Sequence, residues 1–192
     1  MTTLLLARHG ETDWNRDGRF QGHADTSLNA RGREQARELA EEVNGVEVIY
    51  SSDLKRAIET AEVVAERLGL EVTVDSRLRE RGFGAWEGLT RAEIEASFRE
   101  EFDRWRRGDG GGAADAEAQE AFAARIEAFL TDVLARHPGQ TVLVIAHGGS
   151  IRVVQAVASG LDYLQDRRSI RALANGSLAR YAAREGKLTP LD

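Results

Sequence analysis

No cysteine occurs among the 192 residues, which removes disulfide bonds, thiol nucleophiles and thiolate metal sites from consideration. Basic charge is not in excess: 26 Lys and Arg stand against 32 Asp and Glu, a net charge of −6. General nucleic-acid binding needs a basic footprint, so that class of partner is not expected. No apolar run reaches the length of a membrane span, and the first residues lack the basic, apolar and small-residue regions of a secretory signal. These absences predict a soluble, cytoplasmic chain with neither nucleic acid nor membrane as partner. The composition, 42% hydrophobic and 30% charged, is that of a globular protein long enough to bury a full core under a sheet.

The most informative stretch is Leu4-Leu5-Leu6-Ala7-Arg8-His9-Gly10-Glu11-Thr12. Four apolar residues without polar alternation read as a buried strand. Parallel sheets carry their ligand sites beyond the carboxyl ends of the strands, where Arg8 and His9 fall. A strand end meeting solvent would be the plainer reading of one such pair. The same pattern recurs, however: Thr141-Val142-Leu143-Val144-Ile145-Ala146 ends in His147-Gly148-Gly149 and leads into an apolar-striped helix.

Between these strands the chain alternates. Asn29 suits an N-cap for a helix whose buried face is Ala36, Leu39, Ala40 and Val43. Residues 46–50 form the second expected strand, and Ser52 or Asp53 the cap of the next helix. Arg56 then lies in a first helical turn, where a guanidinium joins free N–H groups and the positive dipole end as an anion site. A third apolar run covers 70–74. The segment 78–88 mixes glycines and aromatics with two acids, Glu80 and Glu87, either of which suits a general acid, and spacing does not choose between them. One or two helices are expected over 90–107, a flexible loop over 108–114 and a long helix over 115–136. His137 reads as the C-terminal residue of that helix. A linker over 160–169, the turn Asn175-Gly176 and a final strand over 177–183 complete the chain.

This order predicts an α/β fold, a three-layer α/β/α sandwich with a mainly parallel central sheet. Residues 1–192 are expected as a single domain, with 88–114 as a lid-like insertion. Arginines bind phosphate in a planar fork, a neutral imidazole can attack phosphorus, and a nearby acid can protonate the leaving oxygen. The constellation therefore points to phosphoryl transfer through a phosphohistidine.

The same residues resemble a known family. Arg8-His9-Gly10-Glu11-Thr12 with Trp14-Asn15 is similar to the signature of the histidine phosphatase superfamily, the phosphoglycerate mutase-like proteins. Phe20-Gln21-Gly22, Ser51-Ser52-Asp53-Leu54 with Arg56, Leu78-Arg79-Glu80 with Trp86-Glu87-Gly88, and Ala146-His147-Gly148-Gly149 follow in the family's order. The resemblance implies His9 as nucleophile, with Arg8, Arg56 and His147 holding the phosphoryl group and Glu80 as proton donor. It implies Asn15, Gln21 and Gly148 as contacts to phosphate or substrate, no cofactor and no metal. A phosphorylated small molecule would be the substrate, and the activity that of a histidine acid phosphatase-type phosphoric monoester hydrolase.

Three other readings compete. A phosphoglycerate mutase would share the machinery but usually carries a longer, more basic insertion after Trp86-Glu87-Gly88. A non-catalytic phosphoryl-binding regulator predicts loss of one of the five central residues, all of which are present. A zinc site from His9, His23, His137 and His147 lacks close His-x-x-x-His spacing. Glu117, eight residues before Arg125, matches a glutamate of bacterial relatives, but its neighbours Asp115-Ala116 and Ala118 depart from their pattern. A homodimer through the 90–114 region is the self-association the sequence allows.

Overall fold

Leu4, Leu5, Leu6 and Ala7 are all buried, yet they serve two cores. Leu4 and Leu6 join the cluster of Phe122, Ile126, Ile151 and Val154, while Leu5 and Ala7 join that of Leu39, Ala57, Ala61 and Val64. Successive strand residues face opposite sides of a sheet, so a strand covered on both faces reads as an unbroken apolar run.

The computed structural model describes residues 1–108, 112–184 and 186–191. Its strands are β1 (Thr2–Arg8), β2 (Val48–Ser51), β3 (Val72–Val74), β4 (Thr141–Ala146), β5 (Leu178–Arg184) and β6 (Lys187–Leu191). They form one sheet of order β3-β2-β4-β1-β5-β6. The first four run parallel; β5 and β6 are antiparallel to their neighbours. The helices are α1 (Asp13–Arg16), α2 (Ala30–Glu42), α3 (Lys55–Leu68), α4 (Arg91–Ser97), α5 (Arg99–Arg107), α6 (Gln119–Arg136), α7 (Gly148–Ser159) and α8 (Tyr163–Asp166). α2 and α3 cover one face of the sheet, α6 and α7 the other. The fold is the expected mainly parallel α/β sandwich.

Asn29 caps α2 as expected, its side chain accepting from Gly32 N at 2.8 Å, a contact worth about 1 kcal/mol. Neither Ser52 nor Asp53 caps α3. The N-cap is Leu54, with no side-chain cap, and a distant residue serves instead: Lys55 N donates to Asp25 Oδ1 at 2.7 Å. Asp53 is drawn away by Arg79, at 2.6 Å.

Three further expectations are corrected. The long helix starts at Gln119 rather than 115, because Asp115 accepts from Ala85 N and Glu117 pairs with Arg125. The linker over 160–169 contains α8, capped by Asp162. The expected final strand is followed by another, β6, which closes a hairpin on β5.

The segment after Gly88 forms α4 and α5, with Thr90 capping α4. Trp86, Ile94, Phe102 and Ala113 make a third small core, against which Phe20 and Phe83 pack. Residues 109–111 of the expected loop lie outside the described residues.

Candidate active site

Strand register brings the two histidines together. β1 and β4 pair so that Arg8 lies opposite Ala146, and His9 N donates to Ala146 O at 3.0 Å. The residue that follows each pair is a histidine, so both emerge at the same edge of the sheet. The rings of His9 and His147 lie 5.0 Å apart between centroids, tilted 58°, and both are buried.

His9 Nδ1 lies 2.7 Å from Gly10 O. A carbonyl only accepts, so in the neutral ring Nδ1 carries the proton and Nε2 keeps its lone pair. Burial, then the charges of Arg56 and Arg8, hold its pKa well below the usual 6.5. Burial and Arg56 act likewise on His147. His147 is also the N-cap residue of α7, so the positive end of a helix dipole opens where the histidines meet.

Arg56 is 1% exposed. As part of α3 it starts where β2 ends, and its guanidinium donates to Ala24 O and Gly22 O, each at 2.8 Å. Burial lowers its pKa to about 10, so it remains cationic at neutral pH. Arg8 donates to Leu173 O at 2.8 Å; burial lowers its pKa too. Among the described residues, Arg8 Nε, Arg56 Nε and both ring nitrogens of His147 are buried without a hydrogen-bond partner. Buried polar atoms are rarely left so. The two guanidinium N–H groups, with the single N–H that a neutral His147 ring carries, suit an oxyanion beside His9.

Glu80 and Glu87, which spacing left equal, have different surroundings. Glu80 lines a cavity of about 240 Å³ with Arg8, His9, Asn15, Gln21 and Arg56. Its carboxylate accepts from Arg81 N and Gly149 N, both at 2.9 Å. Glu87 instead ties two loops, accepting from His23 N and Phe83 N at 2.9 Å. Asn15 Oδ1 accepts from Thr12 N at 3.1 Å, and Gln21 Oε1 accepts from Thr12 Oγ1 at 2.9 Å. Gly148 stands 3.5 Å, from an ideal Cβ position, to Arg8 Cζ.

The four histidines do not assemble. His137 bonds Tyr50 Oη at 2.9 Å and Gln140 Oε1 at 2.8 Å. Its carbonyl accepts from Thr2 at the start of β1, a full strand of about 20 Å from His9.

Two contributors were given no role in the site by the sequence. Asn175 Nδ2 donates to His9 O at 3.1 Å and Asn15 Oδ1 at 3.2 Å; its Asn-Gly pair signalled only a turn. Arg125 donates to Arg77 O, Arg79 O and Glu80 O at 2.6, 2.7 and 2.9 Å, and so fixes the backbone that carries Glu80.

A family profile described as the histidine phosphatase superfamily (branch 1) matches residues 4–191. The chain belongs to that superfamily. It is 37% identical over 167 residues to phosphoserine phosphatase 1 of Hydrogenobacter thermophilus, covering 84% of this chain and 78% of that protein. It is 34% identical over 187 residues to the "Probable phosphoglycerate mutase GpmB" of Enterobacter sp., covering 94% and 84%. Among solved structures, a mycobacterial glucosyl-3-phosphoglycerate phosphatase in complex with VO3 superposes with a TM-score of 0.88 at 34% identity, covering 98% of this chain and 96% of that one. Superfamily members of this kind are phosphatases or mutases.

Proposed function

We propose that the protein is a metal-independent phosphomonoesterase that hydrolyses small phosphorylated metabolites through a phosphohistidine on His9. The observation that carries this reading is the set of unpartnered buried nitrogens of Arg8, Arg56 and His147 around a neutral histidine. They would hold three phosphoryl oxygens and stabilise the charge that grows on them. The guanidinium groups supply the positive charge that a metal provides in other phosphatases.

His9 Nε2 attacks phosphorus as the bond to the leaving oxygen breaks, and Glu80 in its acid form gives that oxygen its proton. The alcohol leaves. Glu80, now a carboxylate, takes a proton from water as the water oxygen attacks the phosphohistidine. The P–N bond breaks, phosphate departs, and His9 and Glu80 return to their starting forms. Asn15, Gln21 and the Gly148 N–H steady the phosphate. The described part of the 88–114 segment, α4 and α5, would act as a lid over the site, anchored by the small core around Trp86.

Similarity to a mutase-named relative supports a second reading, in which the phosphoryl group returns to a bound product instead of water. The short 88–114 segment, whose arginines interleave with acids, favours hydrolysis. The deciding experiment is hydrolysis of p-nitrophenyl phosphate with EDTA present, wild type against His9→Ala. EDTA-resistant turnover that disappears in the variant, together with a base-stable, acid-labile phosphoryl label on the wild type, supports the reading. Turnover surviving in the variant removes His9 from its role.

A further inference from the structure

A second cavity, of about 510 Å³, adjoins the first. The two share Glu80 and Phe83 in their walls. The group assigned to protonate the leaving oxygen thus stands between a space for the phosphoryl group and a space for whatever the phosphate is attached to.

Six arginines line this second cavity: Arg81, Arg91, Arg106, Arg152, Arg167 and Arg168. They come from five parts of the chain, so no single basic stretch of sequence announces them. Among the described residues Glu80 is the one acid in the lining, in a protein whose net charge is −6. Six like charges around one space repel one another, and that cost is normally offset by carboxylates. Here, among the described residues, Arg106 pairs with Asp103 at 3.4 Å, whereas Arg81, Arg91, Arg152, Arg167 and Arg168 have no carboxylate within ion-pair distance.

Their contacts are of other kinds. Arg91 lies over the rings of Trp105 and Phe102. Arg81 donates to Glu117 O, Arg167 to Leu164 O and Arg168 to Trp105 O. Arg152 Nε is buried with no partner among the described residues. Held guanidinium groups without carboxylates, one of them with a buried and unpartnered N–H, form a built anion site.

We propose that this cavity binds a second anionic group, carried on the leaving alcohol, and that the protein therefore selects phosphomonoesters bearing a carboxylate or further phosphate beyond the one hydrolysed. The proposal rests on the phosphatase reading for its chemistry, but binding can be read without turnover.

The test uses matched pairs: 3-phosphoglycerate against glycerol 3-phosphate for the carboxylate, and fructose 1,6-bisphosphate against fructose 6-phosphate for the second phosphate. Calorimetry on His9→Ala measures affinity, and steady-state kinetics on wild type measures kcat/KM. The anionic member of at least one pair is expected to bind and react about tenfold or more better, and the pair that discriminates identifies the group. Arg152→Gln and the exposed Arg168→Gln should each bring that ratio to within about threefold of unity, with folding checked by thermal melts. Equal binding of both members in both pairs overturns the proposal, as does a preference that survives both substitutions. Tight binding of the anionic member with no turnover of any ester upholds the cavity's role and removes the phosphatase reading instead.

Discussion

His9 and His147 face each other at 5.0 Å between ring centroids, and the same two arginines, Arg8 and Arg56, disfavour a proton on both. This arrangement serves nucleophilic attack, which needs a free lone pair. It also ties stability to pH, because two buried rings must remain neutral while the unfolded chain is free to protonate them.

The sign follows from the direction of the shift. In the unfolded chain each histidine titrates near 6.5, whereas in the folded protein burial and the arginines hold the value well below it. As pH falls below about 6.5 the unfolded state takes up protons that the folded state refuses, and stability is lost, by up to about 1.4 kcal/mol per pH unit for each ring. Urea unfolding of wild type and His147→Gln at pH 7.5, 6.5 and 5.5 checks this. The variant should lose stability less steeply, by about one ring's share. Parallel pH dependences would show that His147 carries no such linkage.

The role given to Glu80 predicts a dependence on the leaving group. Glu80→Gln cannot donate a proton, so an alkyl phosphate should lose about 10²–10⁴-fold in kcat. p-Nitrophenolate leaves without protonation. With that substrate the variant should still form the phosphohistidine, giving a burst of p-nitrophenol before a slow steady state limited by water attack. Rapid-mixing absorbance measures the burst; its absence, with equal losses for both substrates, would refute the assignment.

The parts of this architecture legible in the sequence are those in which one residue type does one job. Leu4 to Ala7 and Val142 to Ala146 read as strands because both faces of the sheet are covered, and their terminal histidines stood out as polar residues where apolar runs stop. The alignment of those histidines was not legible, since it depends on the pairing of Arg8 with Ala146. Asp115 and Glu117 fall inside the span expected as helix but are committed to Ala85 N and Arg125. β6 has a single buried residue, Leu188, too thin a pattern to announce a strand. Tertiary partners, not local propensity, decided each of these.

Gly10 and Gly32 bring the loop after β1 against the first turn of α2, backbone to backbone. A Cβ on Gly32 would stand 2.1 Å from Glu11 O, and one on Gly10 2.3 Å from Gly32 O. Neither neighbour is a flexible side chain, so the loop itself must shift. Gly32→Ala should cost about 1–3 kcal/mol. It should also lower kcat, because Gly10 O holds the His9 ring. A thermal melt and steady-state kinetics test both effects; a stable variant with wild-type kcat would mean that the contact does not set the ring's position.

Arg125 acts on the site through Glu80 without touching the space beside His9. Its guanidinium spans the carbonyls of Arg77, Arg79 and Glu80 and is itself held by Glu117, at 2.7 Å. Only a planar fork can serve that many acceptors, and a lysine ammonium cannot. Arg125→Met would leave Arg77 O without its side-chain partner. It would also remove one bond each from Arg79 O, Glu80 O and Glu117, which keep Ser150 Oγ, His23 Nε2 and Gly82 N. The cost is about 1–3 kcal/mol once partial exposure is discounted. Arg125→Lys should be milder in stability yet still misplace the Glu80 backbone. If Arg125 positions Glu80, the lysine variant will lose more activity on an alkyl phosphate than on p-nitrophenyl phosphate, the same bias expected of Glu80→Gln. If its role is only to hold the fold, both substrates will lose activity in equal proportion. The ratio of the two losses, measured at a temperature where the variant is fully folded, separates positioning from support.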